Sequence, residues 1–330
     1  MNNQKSILYI FITAFCFGTM EVALKLGGSS FSALQMTFLR FLIGGVFLLP
    51  LALRDLKKRN VRLNGKDLGY MLMLAVIGIC LSMTCFQMGV MHSNANTASV
   101  IISMNPVFTM IFAYFIVGEP FTHWKALVLM ISVVGLIFVA NPVNMAEGNT
   151  MTGLVYNLIA AVTFALFTAL GKLRIARLGG LVQNSFTFLF ASAIELGILL
   201  VRGEPVFQGI RLQTLPVVFY TGIVVTGIGY FSFLKAIELA GPSHASIAFF
   251  IKPVIAVTVA ALLLKETVSW NIILGVALII CGSIINLLEG IGDNLFTPRN
   301  TTTEQEAQGY ANSTKKQALA VAVRMVRSLK

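Results

Sequence analysis

Apolar residues run along this chain in ten long blocks, separated by short clusters of Gly, Pro, Asn and charged residues. The blocks lie near 6–26, 32–53, 67–91, 95–117, 123–140, 151–172, 181–201, 212–236, 243–264 and 267–288. Crossing a hydrocarbon core of ~30 Å takes about twenty residues in a helix, so blocks this long and this poor in charge predict membrane spans.

The ninth block breaks its own pattern. It reads SHASIAFFIKPVIAVTVAALLLKE over Ser243–Glu266, with Lys252 and Pro253 near the middle. A rise of ~1.5 Å per residue places the Lys252 ammonium close to the bilayer centre. A charge there costs at least ~2.5–3.5 kcal/mol, so it is expected to face a bundle interior or a wet cavity. Pro253 has no N–H to give, which frees the carbonyl of Phe249 at the same depth. Two polar features on one turn point to a solvated binding site; the plainer reading is a kinked structural helix with a buried ion pair.

Composition agrees with the pattern. Of 330 residues 57% are hydrophobic and 11% charged, the profile of an integral membrane protein. The formal charge of +11 sits in short loops and the tail, so membrane orientation explains it and a nucleic-acid partner is excluded. With the N-terminus inside, the inner connections hold Lys5, Arg54, Lys57, Lys58, Arg59, Arg62, Lys66, Lys125, Lys172, Arg174, Arg177 and Lys235. The outer ones hold only Lys25, Arg202, Arg211 and Lys265. That bias predicts a multi-pass protein of the cell membrane with both termini in the cytosol. The first block starts like a signal peptide but carries Glu21 and lacks a small-x-small cleavage site, so it is read as an uncleaved span. Cys16, Cys80, Cys85 and Cys281 fall within apolar runs and are expected as buried free thiols. Neither they nor His92, His123 and His244 show ligand spacing, so no metal and no cofactor is expected.

A repeat appears at a constant offset of 147 residues. Phe86 falls on Phe233, Ala98-Ser99 on Ala245-Ser246, Pro106-Val107 on Pro253-Val254, Ala113 on Ala260 and Glu119 on Glu266. Lys25 and Lys172 share the offset, and Lys252 falls on Asn105. Residues 1–143 and 144–288 thus form two five-span units, followed by a polar and basic tail at 289–330. An odd number of spans inserts the second unit upside down, so the fold expected is all-α, with ten transmembrane helices in two inverted-topology repeats. Such repeats rock about a site near the midplane, where Lys252 and Asn105 both lie.

Two five-span copies with Asn105-Pro106…Gly118-Glu119 and Lys252-Pro253…Lys265-Glu266 resemble the EamA family of the drug/metabolite transporter superfamily, as do Arg40-Phe41 and Gly227-Ile228-Gly229-Tyr230. The likeness covers roughly 6–288. It implies a basket of ten helices around a cavity lined by spans 1, 3, 4, 6, 8 and 9, and export or exchange of small metabolites such as amino acids.

Gln87, Asn105, Asn157, Thr168 and Tyr230 are neutral polar residues on those spans. Singly each reads as glue between helices; as a set, with Lys252 for a carboxylate or phosphate, they are the candidates for holding a solute. Pro106 and Pro253 read as kinks, and Gly227 and Gly229 as close-approach or gating positions. Glu21 and Arg40 lie at similar depth on antiparallel neighbours, so mutual neutralisation is expected, with proton coupling at Glu21 a further reading. Glu195 is a third intramembrane charge, without an evident partner. Glu119 and Glu266 are expected to cap the helix that follows each, with gating contacts as the other role.

The tail is polar over 291–314, and Lys315–Lys330 has the spacing of a short amphipathic helix suited to anionic lipid. The function expected is a secondary transporter of a small metabolite, an amino acid or related zwitterion or anion, working by alternating access in a lipid bilayer. A lipid or lipid-linked-sugar translocase is the rival within the class. An intramembrane enzyme is the rival outside it, but the chain has no HExxH, no GxSxG and no nucleotide-binding GxxxxGK[ST]. A homodimer is left open.

Overall fold

A computed structural model describes residues 2–27, 30–119, 122–140, 148–278, 280–282 and 285. The tail, and with it the amphipathic segment expected at 315–330, lies outside them. Among the described residues ten helical segments of more than ten residues follow one another: α1 (Lys5–Gly27), α2 (Ala33–Arg59), α3 (Gly65–Met91), α4 (Ala95–Val117), α5 (His123–Ala140), α6 (Met151–Leu178), α7 (Gly180–Val201), α8 (Leu215–Ala240), α9 (Ala248–Leu263) and α10 (Trp270–Gly282). Seven of them, α1–α4 and α6–α8, are long and apolar enough to cross a bilayer; the others are shorter apolar helices. No strand occurs among the described residues. The chain is an all-helical, multi-pass membrane protein.

Local chemistry sets the helix ends. Ser32 and Thr150 cap α2 and α6 by accepting from the Gln35 and Gly153 amides. Asn64 and Asp67 form a reciprocal capping box at the start of α3. α2 runs on to Arg59 and α6 to Leu178, past the apolar blocks, because each continues through a basic last stretch. α2 then stops at Asn60 in the left-handed region (φ 53°).

Several spans are broken. α1 pauses at Thr19, and α4 is split between Ile102 and Asn105. Pro106 therefore sits in the first turn of a new helical piece, where its missing N–H costs little, rather than kinking a continuous helix. α9 starts at Ala248, after a short helix Pro242–Ala245, so Lys252 is nearer its helix start than the unbroken block suggested. Pro253 stays inside α9 and withholds a donor from the Phe249 carbonyl. α3 and α8 each widen into a π-helical stretch, Ala75–Leu81 and Tyr220–Gly229. Shifted by 147 residues, the first falls inside the second.

Packing between the two halves obeys the same exchange. α1 packs on α8 and α9, α6 packs on α3 and α4, and α2 lies along α7. Replacing each helix by the one five later maps these neighbours onto themselves, which is the arrangement two inverted repeats require. Gly44 and Gly222 let α2 and α8 cross closely: a Cβ on Gly44 would meet Thr226 and the Gly222 carbonyl. The exterior is apolar, with Phe115, Val201 and Leu262 each more than 70% exposed. The charged residues of mid-span are inside, since Glu21, Arg40, Glu195 and Lys252 are all fully buried. Cys281 corrects the expectation for the cysteines: it is exposed on α10, Cys16 is buried, and Cys80 and Cys85 are half-buried.

Candidate functional site

Lys252 on α9 and Glu21 on α1 form a direct ion pair in the middle of the bundle, with neither side chain exposed. The ammonium also lies over the rings of Phe86, 5.3 Å from its centroid, and Phe249, 5.8 Å away. Glu21 therefore has Lys252 in contact, not Arg40 as the sequence suggested. The reason is topological: α1 packs against α9, which sequence order does not reveal. The Arg40 guanidinium instead donates to the Met20 sulfur at 3.3 Å and stacks over Phe41 at 4.7 Å. Its Nε and Nη2 have no hydrogen-bond partner among the described residues. Glu195 on α7 accepts from the Thr84 hydroxyl at 3.3 Å, and its Oε2 is without a partner in the same sense.

Aromatic rings close the centre around these charges. Tyr230 packs edge-on to Phe17 (5.0 Å), Phe188 (5.2 Å) and Phe41 (5.7 Å). Phe249 touches Phe17 (5.7 Å), Phe164 (5.6 Å) and Phe233 (5.5 Å). The Tyr230 hydroxyl donates to the Met83 sulfur at 2.9 Å.

The six solute candidates do not all converge. Lys252 and Tyr230 share the centre through Phe249 and Phe17. Gln87 is buried with both side-chain polar atoms unpartnered among the described residues. Asn105 accepts from Thr109 at 3.1 Å and keeps its Nδ2 unpartnered in the same sense. Thr168 spends its hydroxyl on the Phe164 carbonyl of its own helix (2.8 Å), and Asn157 ties α6 to the connection between α3 and α4 by donating to Ser93 (3.0 Å).

At the outer end expected from the charge bias, Glu266 accepts from the amides of Ala95 (2.8 Å) and Asn96 (3.1 Å). It thus caps α4 of the other half, not the helix that follows it. Lys25 pairs with this carboxylate at 3.5 Å and donates to the Ser93 carbonyl at 2.7 Å. At the opposite end Glu119 lies against Gly241, at the head of the short helix before α9. Lys172, in electrostatic reach of Glu119, donates to the Ile237 carbonyl at 2.9 Å. Also at that end Asp67, fully buried, takes Arg174 and Arg177 at 2.7 Å each.

The sequence model of the EamA-like transporter family matches this chain twice, over residues 4–141 and 151–288. The chain belongs to that family. A relative in Clostridium kluyveri named "Uncharacterized transporter" is 35% identical over 86% of this chain and 93% of its own length. A protein of Streptantibioticus cattleyicolor named "Probable terminal-alkyne amino-acid exporter" is 23% identical over 86% of this chain and 94% of its own. One crystal structure superposes with a TM-score of 0.67 at 16% identity, covering 89% of this chain and 99% of that one, a likeness of fold.

In this EamA chain the Glu21–Lys252 pair joins the two matched repeats. The centre holds partners that sequence reasoning passed over: Phe17 with Phe164, and Phe41 with Phe188, are also 147 residues apart. The latter two rings touch at 4.9 Å. The same offset that revealed the prolines would have found them.

Proposed function

We propose that this EamA chain is a secondary transporter that exports or exchanges a small amino acid or related zwitterion or anion by alternating access, with no covalent chemistry. One observation carries the reading: a fully buried ion pair, Glu21–Lys252, held by one helix from each repeat. Two charges removed from water are costly to a fold that only needs stability, since well-packed apolar residues serve as well or better. They are useful to a carrier whose load replaces one partner by another. A substrate carboxylate takes the place of Glu21 at Lys252, a substrate ammonium takes the place of Lys252 at Glu21, and neither charge is left bare. Phe17, Phe164, Phe233 and Phe249 supply an apolar wall for the rest of the solute and cation–π contacts for an ammonium. Gln87, Asn105 and Tyr230 are the neutral groups left to orient it. The Streptantibioticus relative's name supports an amino-acid load.

Counterflow in proteoliposomes tests this. Vesicles loaded with unlabelled L-alanine, L-leucine or L-glutamate should accumulate the same labelled compound, and Lys252→Met should abolish accumulation. A folded wild-type protein that exchanges none of a full amino-acid panel sinks the substrate class. Chemical conversion of the label would mark an enzyme instead.

A further inference from the structure

Glu195 is a buried carboxylate that the exchange at Lys252 does not use. It sits on α7, fully buried, and the Thr84 hydroxyl at 3.3 Å is its hydrogen-bond partner. Its Oε2 has none among the described residues. The titratable or charged groups facing it are Arg40 from α2 and Cys80 from α3, and Tyr230 from α8 faces the same guanidinium. Arg40 forms no ion pair within 4.0 Å with any described carboxylate, and two of its nitrogens are unpartnered. The centre thus holds two cations and two carboxylates, but among them only Glu21 and Lys252 are in ion-pair contact.

We propose that Glu195 is the proton-binding residue of this carrier, and that it sets which loads travel with a proton. The inference rests on the transport reading above. With Glu195 ionised, Glu21, Arg40, Glu195 and Lys252 sum to zero, the state a low-dielectric interior favours. A zwitterion adds no net charge and is occluded alone. An anion adds one negative charge, and a proton that forms an O–H bond at Glu195 Oε2 cancels it. The guanidinium cannot give up its proton, so Arg40 then turns from Glu195 to the anion as its counter-ion. The proton enters from the aqueous side the site faces. It leaves on the other side once the anion has gone and Arg40 again draws charge onto the carboxylate. Glu21 does not serve, because its carboxylate is already engaged in direct contact with Lys252.

Infrared titration of the purified full chain reads the site directly and without any substrate. A buried carboxyl carbonyl band should vanish as pH rises, should be missing at every pH in Glu195→Gln, and should persist in Glu21→Gln. Thr84→Ala, which leaves the carboxyl in place, should shift the band, since Thr84 donates to the carbonyl oxygen; this arm decides the matter where Glu195→Gln does not fold. A band untouched by Glu195→Gln or Thr84→Ala, or lost in Glu21→Gln, overturns the assignment. In vesicles, uptake of L-glutamate should fall about tenfold per pH unit above the midpoint of that band, while uptake of L-alanine stays level. Parallel pH profiles for the two probes overturn the coupling rule. If neither probe moves but the band behaves as stated, the transport reading has failed and the proton site stands.

Discussion

The hydroxyl of Tyr230 touches the sulfur of Met83 at 2.9 Å, and the two residues stand 147 positions apart, one repeat length. Equivalent residues of two inverted repeats can meet only where the axis relating them passes. Phe41 and Phe188, in ring contact at 4.9 Å, mark the same line. The frame around the axis is symmetric, but its chemistry is not. Glu21 and Lys252 have Thr168 and Asn105 as their repeat equivalents. The α1–α9 contact is therefore charged, and the equivalent α6–α4 contact carries neutral polar groups. On the transport function proposed above, a load with charged ends has one favoured orientation.

If Glu21 and Lys252 neutralise each other, losing one should hurt more than losing both. Lys252→Met leaves a bare buried carboxylate and should lower stability by about 3–5 kcal/mol. Adding Glu21→Gln should restore most of that loss, while transport stays absent in both. Thermal unfolding in detergent measures the first part and counterflow the second. A double variant no more stable than the single one would mean the two charges are not coupled.

The α2–α8 crossing should tolerate no side chain at Gly44. A Cβ there would stand 2.7 Å from the Thr226 methyl and 3.0 Å from the Gly222 carbonyl. Backbone cannot yield as a side chain does, so Gly44→Ala should cost about 1–3 kcal/mol. Gly197→Ala, where nothing lies within 4 Å, is the matched control and should be neutral or better. Equal melting temperatures for the two would refute the close approach.

The helices were legible because charge-poor blocks of membrane length have few other fates, and the repeat was legible because Pro and Glu recur at one offset. What stayed hidden depended on packing. The break at Ser246–Ile247 lies within an apolar block, with neither Gly nor Pro at those two positions to announce it. Sequence order pairs Glu21 with Arg40 because α2 follows α1, whereas the contact is with α9, more than two hundred residues on. Glu266 reads locally as the cap of its own next helix, but its acceptors' donors belong to α4. A carboxylate's depth can be read from sequence; its partner cannot.

Asp67 should behave unlike the surface ion pairs. It is fully buried and takes both Arg174 and Arg177 at 2.7 Å while also closing the α3 capping box. Asp67→Asn keeps a capping side chain and removes the charge, so the loss reports the arginine contacts alone, about 1.5–3 kcal/mol. Arg202→Ala breaks the pair with Glu204, whose arginine is 64% exposed, and should change stability by less than about 1 kcal/mol. Raising salt should erase the second effect and leave most of the first. Equal losses in the two variants would place Asp67 among ordinary surface charges.

The two ends of the bundle should respond as mirror images. Lys25 and Glu266 hold α1 and the α9–α10 connection to the start of α4, through the Ala95 and Asn96 amides. Lys172 and Glu119 are their repeat equivalents at the opposite end, with Glu119 against Gly241 and Lys172 on the Ile237 carbonyl. Each carboxylate bridges the two repeats, so neutralising it should loosen one end and leave the other closed. Phe17→Cys, with the four native cysteines replaced by serine, reports which end has opened. Glu266→Gln should raise its labelling by an impermeant thiol reagent added from one side, the outer one on the orientation expected from the charge bias, and Glu119→Gln its labelling from the opposite side. The loss of charged acceptors at a helix start costs about 1–2 kcal/mol, enough to shift a closed-to-open balance five- to thirtyfold. If both variants label from the same side, the two carboxylates are not equivalent latches, and the exchange of neighbours seen in the packing does not extend to the gates.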